Sequence, residues 1–342
     1  MPEAAPASAP TPEPATASEH GTPEPRRAAL VYNPVKVDLE RVKAAVSRAE
    51  ADAGWAETLW FETSVEDPGA GQTREALAAG VDVVIAAGGD GTVRVVAEAL
   101  RGSDASLALL PSGTGNLLAR NLNLTLDDID NSLAVAFSGK DRAIDIGLID
   151  IETAKGRDHR AYVVMAGLGL DAKMLANTDD DLKKRAGWLA YVDALRKALL
   201  DKNQLEFRYR LDDSKTRRVR AHTIIVGNCG ALPANILLLP DAAVDDGEFD
   251  IVLLRPEGFF GWVQIIVKVV WENGILRRSG VVGAKLMGLT KEVAALRYVK
   301  GRDLTVRLDH EQEIELDGDS FGSTSAFRTW IEPGGLTVRV PA

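Results

Sequence analysis

Two short stretches hold the residue types from which a phosphate site is built. Gly88-Gly89-Asp90-Gly91-Thr92 follows an apolar, β-branched run at 81–85 and precedes the helix-like run 93–100. Gly113-Thr114-Gly115-Asn116 follows a second apolar run at 106–110 and precedes another helix-like segment at 117–122. Both therefore read as strand-to-helix corners. Glycine there permits positive φ and lets a backbone approach a ligand closely. The helix N-terminus adds free N–H groups and a positive dipole end, which suit an anion. Asp90 is out of place beside an anion unless a cation lies between its carboxylate and the phosphates. The plainer alternative is a tight turn with Asp90 as a helix cap. Two such corners, each at the carboxyl end of a strand, mark the usual ligand crevice of an open α/β sheet. No Gly-x-x-x-x-Gly-Lys-Ser/Thr sequence is present, so any phosphate grip must come from these corners.

Other polar residues sit where they could assist. Lys36, just past Asn33-Pro34 at the end of the first apolar run, is a candidate phosphate cation or else a solvated loop lysine. Thr63 stands at the end of a second apolar run, where it reads as a turn or N-cap threonine. Asp241, Asp245 and Asp246 make an acidic loop whose Asp-Asp-Gly is also good turn chemistry. Leu316-Asp317-Gly318-Asp319 reads as a hairpin turn bearing two carboxylates.

The elements that must position these residues follow from the apolar pattern. Runs at 28–32, 57–62, 81–85 and 106–110 are predicted strands, separated by predicted helices at 39–54, 74–80 and 93–100. A further helix is predicted over 127–138. Such alternation specifies a parallel sheet. From Arg142 the pattern changes to strands at 142–149, 162–165, 205–210, 221–226, 249–254, 303–308 and 336–340, with two helices near 181–200 and 258–272. A β-sandwich-like second domain follows from that texture. Residues 1–25, rich in Pro, Ala and Glu, are expected to be a disordered tail without the marks of a signal peptide.

Composition narrows the function classes. The 342 residues carry 40 Lys+Arg against 50 Asp+Glu, a formal net charge of -10, which argues against nonspecific nucleic-acid binding. A single cysteine excludes an intrachain disulfide framework and favours the cytoplasm, and four scattered histidines have no metal-ligand spacing. No apolar run approaches the ~20 residues that span a bilayer.

The paired corners, with Tyr32-Asn33-Pro34 before them and Pro240-Asp241-Ala242-Ala243-Val244-Asp245-Asp246-Gly247 after them, resemble the diacylglycerol kinase catalytic-domain superfamily. The resemblance implies a phosphofructokinase-like nucleotide domain over 26–140 and a β-rich lipid kinase domain over 141–342, whose last segment returns to the first domain. It implies ATP and Mg2+ as cofactors, a lipid alcohol as acceptor and peripheral association with the inner face of the membrane, with a second copy of the chain among the expected partners. The nucleotide would touch Asn33, Pro34, Lys36, Thr63, Gly88, Gly89, Asp90, Gly91, Thr92, Arg94, Gly113, Thr114, Gly115 and Asn116. A structural magnesium would take the Asp246 side chain and the carbonyls of Ala243 and Glu248. Asp90 would organise Mg·ATP, and Asp319 would be the general base where relatives have glutamate. Arg94 and Leu117 stand where many relatives have asparagine and a metal-associated aspartate. Basic clusters at 183–185 and 277–278, and an apolar helix over 259–271, are further candidates for membrane contact. Three rival readings accompany the diacylglycerol kinase: a sphingoid-base or other lipid-alcohol kinase, an NAD kinase, and a non-catalytic nucleotide- or lipid-binding protein.

Overall fold

A computed structural model describes residues 25–169, 204–232, 236–256 and 296–342. The expected tail, the two later helices and both basic clusters lie outside the described residues. The first part alternates strand and helix: β1 (Ala28–Tyr32), α1 (Leu39–Ala53), β2 (Leu59–Glu62), α2 (Ala70–Ala78), β3 (Val83–Gly88), α3 (Asp90–Leu100), β4 (Ser106–Pro111), α4 (Leu117–Asn121) and α5 (Ile129–Ser138). The remainder is β5 (Lys140–Thr153), β6 (Gly156–Tyr162), β7 (Met165–Leu168), β8 (Leu205–Leu211), β9 (Arg217–Ala221), β10 (Thr223–Gly227), the short pair β11 (Ala231–Leu232) and β12 (Ile236–Leu237), β13 (Phe249–Leu254), β14 (Leu296–Gly301), β15 (Asp303–Leu316) and β16 (Asp319–Val340).

Strands β2-β1-β3-β4 pair in parallel, and β1 and β3 are buried along their whole length. That is why both read as unbroken apolar runs rather than alternating ones. Helices α1 and α5 cover one face of this sheet around Leu30, Ile85, Leu110 and Phe137; α2 and α3 cover the other around Val31, Val84, Val96 and Leu107. Helix α1 begins where the Asp38 side chain accepts from the Arg41 N–H at 3.3 Å and stops at Gly54, whose φ of 70° is a left-handed end. Asp128 caps α5 in the same way.

The same sheet continues into a mixed, mostly antiparallel part with its own core of Phe207, Phe249, Leu304, Val306, Ile314 and Phe327. The seam is β16. Its far end pairs in parallel with β4, at Val338 and Leu107, and antiparallel with β5 from Val340 back to Phe327. Its near end pairs with β15 as far as Asp319 opposite Leu316. The expected strands at 303–308 and 336–340 are thus parts of two far longer ones. β6 and β9 carry no strand signal in the sequence, because runs such as Gly156-Arg157-Asp158-His159-Arg160 and Arg217-Arg218-Val219-Arg220 are almost wholly polar and lack the alternation that marks a strand.

Candidate active site

The two glycine corners meet. Strands β3 and β4 are neighbours, with Gly88 opposite Pro111, so their following turns lie side by side. A Cβ on Gly113 would stand 2.8 Å from the Gly89 Cα, backbone against backbone. None of Gly88, Gly89, Gly91, Gly113 or Gly115 has positive φ, and Gly89 is extended at φ −92°. Of the two uses of glycine at such corners, positive φ and close approach, only close approach applies here. The left-handed residue is Asn116, at φ 47°, which closes the second turn on itself. Its Oδ1 accepts from Gly113 N–H at 3.1 Å and its Nδ2 donates to the Gly113 carbonyl at 2.8 Å. Asparagine tolerates that conformation because its amide bonds locally.

Asp90 ties the corners together. Its Oδ2 accepts from the Asn116 N–H at 3.0 Å and its Oδ1 from the Leu117 N–H at 2.6 Å. Asp90 does cap a helix, but it is the helix of the other corner. Burial pushes its carboxyl above the ordinary aspartate value, while those two N–H groups and the nearby Lys36 charge pull it part of the way back. Leu117 is itself in the core, so its position serves Asp90 through the backbone N–H and not through a side chain.

Lys36 reaches over the first corner: a Cβ on Gly89 would be 2.6 Å from its Nζ. It is carried there by the Asn33-Pro34 turn, in which Asn33 Oδ1 accepts from Val35 N–H and Asn33 N–H donates to the Ala87 carbonyl. A cleft of about 270 Å3 runs from Lys36 past Pro111 and Ser112 to the starts of α1 and α5. Thr92 is buried beneath Gly88, and Thr114 is exposed on the second corner. Thr63 is buried at the end of β2, with its N–H on the Tyr32 carbonyl and its methyl toward Gly69. It stands beside the Asn33 turn and, among the described residues, makes no polar contact with the corners.

Asp319 completes the arrangement. A Cβ on Gly91 would be 2.7 Å from its Oδ2, so the carboxylate overhangs the first corner. Arg94 Nη2 donates to that Oδ2 at 3.2 Å. The guanidinium also lies 3.6 Å from Glu98 and stacks on Phe321 at 4.7 Å, with its side chain only 8% exposed. Asp319 is half-exposed, and its Oδ1 accepts no hydrogen bond from the described residues. Asp317, the other carboxylate, points elsewhere. Asp317 and Gly318 have φ of 49° and 91°, a tight hairpin turn with both central residues left-handed. Asp317 is 4% exposed and accepts from the N–H groups of Val163, Val164 and Met165 at 2.8–2.9 Å. Burial pushes its carboxyl up to about 6, against the pull of those N–H groups and of Arg94. It is a structural group. Asp317→Ala leaves three buried N–H groups without acceptors and is expected to lower unfolding free energy by ~3 kcal/mol or more, read as a fall in thermal midpoint.

The third expected constellation is the loop of Ala243, Asp246 and Glu248, and its Asp246 side chain is engaged by protein groups. Asp246 Oδ2 accepts from Lys300 Nζ at 2.9 Å, and its Oδ1 from the Glu248 N–H at 3.1 Å. Lys300 lies on β14, a strand without a signal in the sequence.

Similarity to known proteins agrees with this geometry. Residues 27–149 match the diacylglycerol kinase catalytic domain, and 163–272 match the YegS C-terminal NAD kinase β-sandwich-like domain. A Pseudomonas aeruginosa protein named "Probable lipid kinase YegS-like" is 31% identical over 92% of this chain and 94% of its own. The chain belongs to the diacylglycerol kinase catalytic-domain family of lipid kinases. A Bacillus subtilis protein named diacylglycerol kinase is 25% identical to this lipid kinase over 87% of the chain and 91% of its own. The crystal structure of a diacylglycerol kinase from Bacillus anthracis superposes with a TM-score of 0.68 over 93% of this chain and 97% of its own, at 20% identity, and so shares the fold. No helix among the described residues of this lipid kinase is long and apolar enough to cross a membrane.

The corners yield a direct test. Gly113→Ala sets a Cβ against the Gly89 backbone, which cannot swing aside as a side chain would. ATP affinity is expected to fall at least tenfold in nucleotide titration, with the thermal midpoint within a few degrees of wild type. An unchanged affinity would make the two corners ordinary turns.

Proposed function

We propose that this lipid kinase transfers the γ-phosphoryl group of Mg·ATP to the hydroxyl of a membrane lipid, with diacylglycerol as acceptor and phosphatidic acid as product. The observation that carries the reading is the meeting of the two corners, Gly89 against Gly113, with Lys36 Nζ over Gly89 and the Asp319 carboxylate over Gly91. Backbone N–H groups at the start of α3 and the Lys36 ammonium suit phosphate oxygens. In this reading 26–140 binds nucleotide and 141–342 supplies the acceptor side, through Asp319 on β16.

The step is an in-line displacement. The lipid oxygen bonds to the γ-phosphorus, the bond to the bridging oxygen of ADP breaks, and the hydroxyl proton passes to Asp319 Oδ1. Catalysis of this kind comes mostly from positioning and charge neutralisation. Arg94 is a positioning residue: it holds Oδ2 and leaves Oδ1 without a hydrogen bond among the described residues. Asp90 acts through the second corner, which its two accepted hydrogen bonds keep in place.

The test is transfer from γ-labelled ATP, with magnesium, to vesicles holding diacylglycerol, a sphingoid base or ceramide. Labelled phosphatidic acid alone is the expected product. Label on the sphingoid base or ceramide would move the acceptor within the class. NADP formed from added NAD would favour an NAD kinase, and ATP bound without any product would favour a non-catalytic protein. A water-insoluble acceptor also requires reversible attachment to its surface. Vesicle sedimentation is expected to rise with anionic lipid and fall with salt, as screened charge contacts do.

A further inference from the structure

The loop 241–248 is the place where relatives of this chain are expected to hold a structural divalent cation, and here the described residues disagree with that expectation. Lys300 and Asp250 are direct cross-strand partners on β14 and β13. The Lys300 ammonium donates to the Asp241 carbonyl at 2.8 Å and to Asp246 Oδ2 at 2.9 Å, and lies 3.3 Å from Asp250 Oδ2. Two of its three donors are hydrogen-bonded, and the third contact, to the buried Asp250 Oδ2, is a charge pairing without a hydrogen bond. Asp250 is 5% exposed, so without Lys300 it would be a buried, unpaired carboxylate.

The rest of the loop is also held by protein. The Asp145 N–H donates to the Val244 carbonyl at 2.7 Å, and the buried Asp145 carboxylate accepts from the Gly247 and Gly334 N–H groups at 2.6 and 2.8 Å. Arg142 takes Asp245 at 2.6 Å. The loop's one expected side-chain ligand, Asp246, has both oxygens in use. A divalent ion on its remaining lone pairs would sit within a few ångströms of the ammonium, where like charges repel strongly.

We propose that Lys300 is the resident cation of this loop, doing through its ammonium what a divalent ion would otherwise do. The loop is then independent of calcium and magnesium, and the chain's need for magnesium is confined to its nucleotide. This stands apart from the choice of acceptor and from Asp319.

The experiment uses the full chain, chelator-treated and free of nucleotide. Thermal unfolding and calorimetric titration are followed with Ca2+ and with Mg2+. Wild type is expected to bind neither ion at this loop and to keep its midpoint within about 1 °C at millimolar concentrations. Lys300→Ala is expected to lose on the order of 5 °C, because it leaves the buried Asp250 carboxylate unpaired. Two results overturn the proposal. One is a divalent ion that stabilises wild type and is lost in Asp246→Asn, a measurement that needs no Lys300 variant. The other is a Lys300→Ala chain as stable as wild type.

Discussion

Asp319→Asn lowers turnover by at least ~100-fold and leaves ATP affinity within a factor of about two. The first figure is the ordinary worth of a positioned general base. The second follows from where the residue sits: Asp319 overhangs the first corner from β16, and Asn keeps its shape and its contact surface. The amide retains an oxygen for Arg94 but takes no proton from the lipid hydroxyl. Asp319→Glu is expected to keep substantial activity, because it keeps a carboxylate at this position and supplies the glutamate that the family resemblance implies. The Arg94 contact sharpens the expectation. Arg94→Asn frees Oδ2 and leaves the shorter Asp319 unsupported, so it loses turnover with little effect on ATP affinity. Arg94→Asn combined with Asp319→Glu recovers part of that loss, since a longer carboxylate needs less support. Single-turnover transfer and nucleotide titration on the four variants separate these terms. A fully active Asp319→Asn removes this residue from the chemistry. Asp317→Asn cannot substitute as a control, because Asp317 holds three backbone N–H groups and its loss is a loss of structure.

Asp90→Asn is the second large effect, and it differs in kind. Both carboxylate oxygens accept from backbone N–H groups of the second corner. An amide offers one acceptor and turns two donors toward one of those N–H groups. The buried mismatch costs about 1–3 kcal/mol at the least, and it falls on the turn that faces Gly89. Turnover is therefore expected to drop by three or more orders of magnitude together with at least tenfold in ATP affinity. Asp319→Asn, in contrast, separates the two. Near-normal turnover in Asp90→Asn would remove the corners from the nucleotide site.

The parallel sheet and its corners were legible because their signals are local. β-branched runs followed by glycines say where a buried strand ends and a helix begins. Why those glycines are needed was not legible: close approach of Gly113 to Gly89 depends on β3 and β4 being neighbours, and a turn read alone suggests positive φ instead. Asp319 was reached by resemblance and not by spacing, since a hairpin carboxylate looks the same wherever it points. Its partner Arg94 lies 225 positions away, and no local pattern announces such a pair. Lys300 escaped notice for a related reason. Its strand is half-exposed and carries Arg, Tyr and Lys, so its place beside Asp250 exists only once β13 and β14 are paired. Contacts between neighbours in sequence could be read; contacts made by sheet topology could not.

Strand β16 also bears on how this protein is made. During translation β4 emerges early, and its apolar Ser106-Leu107-Ala108-Leu109-Leu110 has β3 on one side only. The strand that covers its other side is synthesised far later; the flanking Arg101–Glu332 pair spans 231 positions. Until then the nascent sheet presents an unpaired apolar edge, the kind of surface that invites wrong partners. The α/β half of the sheet is therefore completed only by the last strand of the chain, and a fragment ending near residue 140 is expected to aggregate when expressed alone. Closure over so long a stretch is expected to make the final pairing slow.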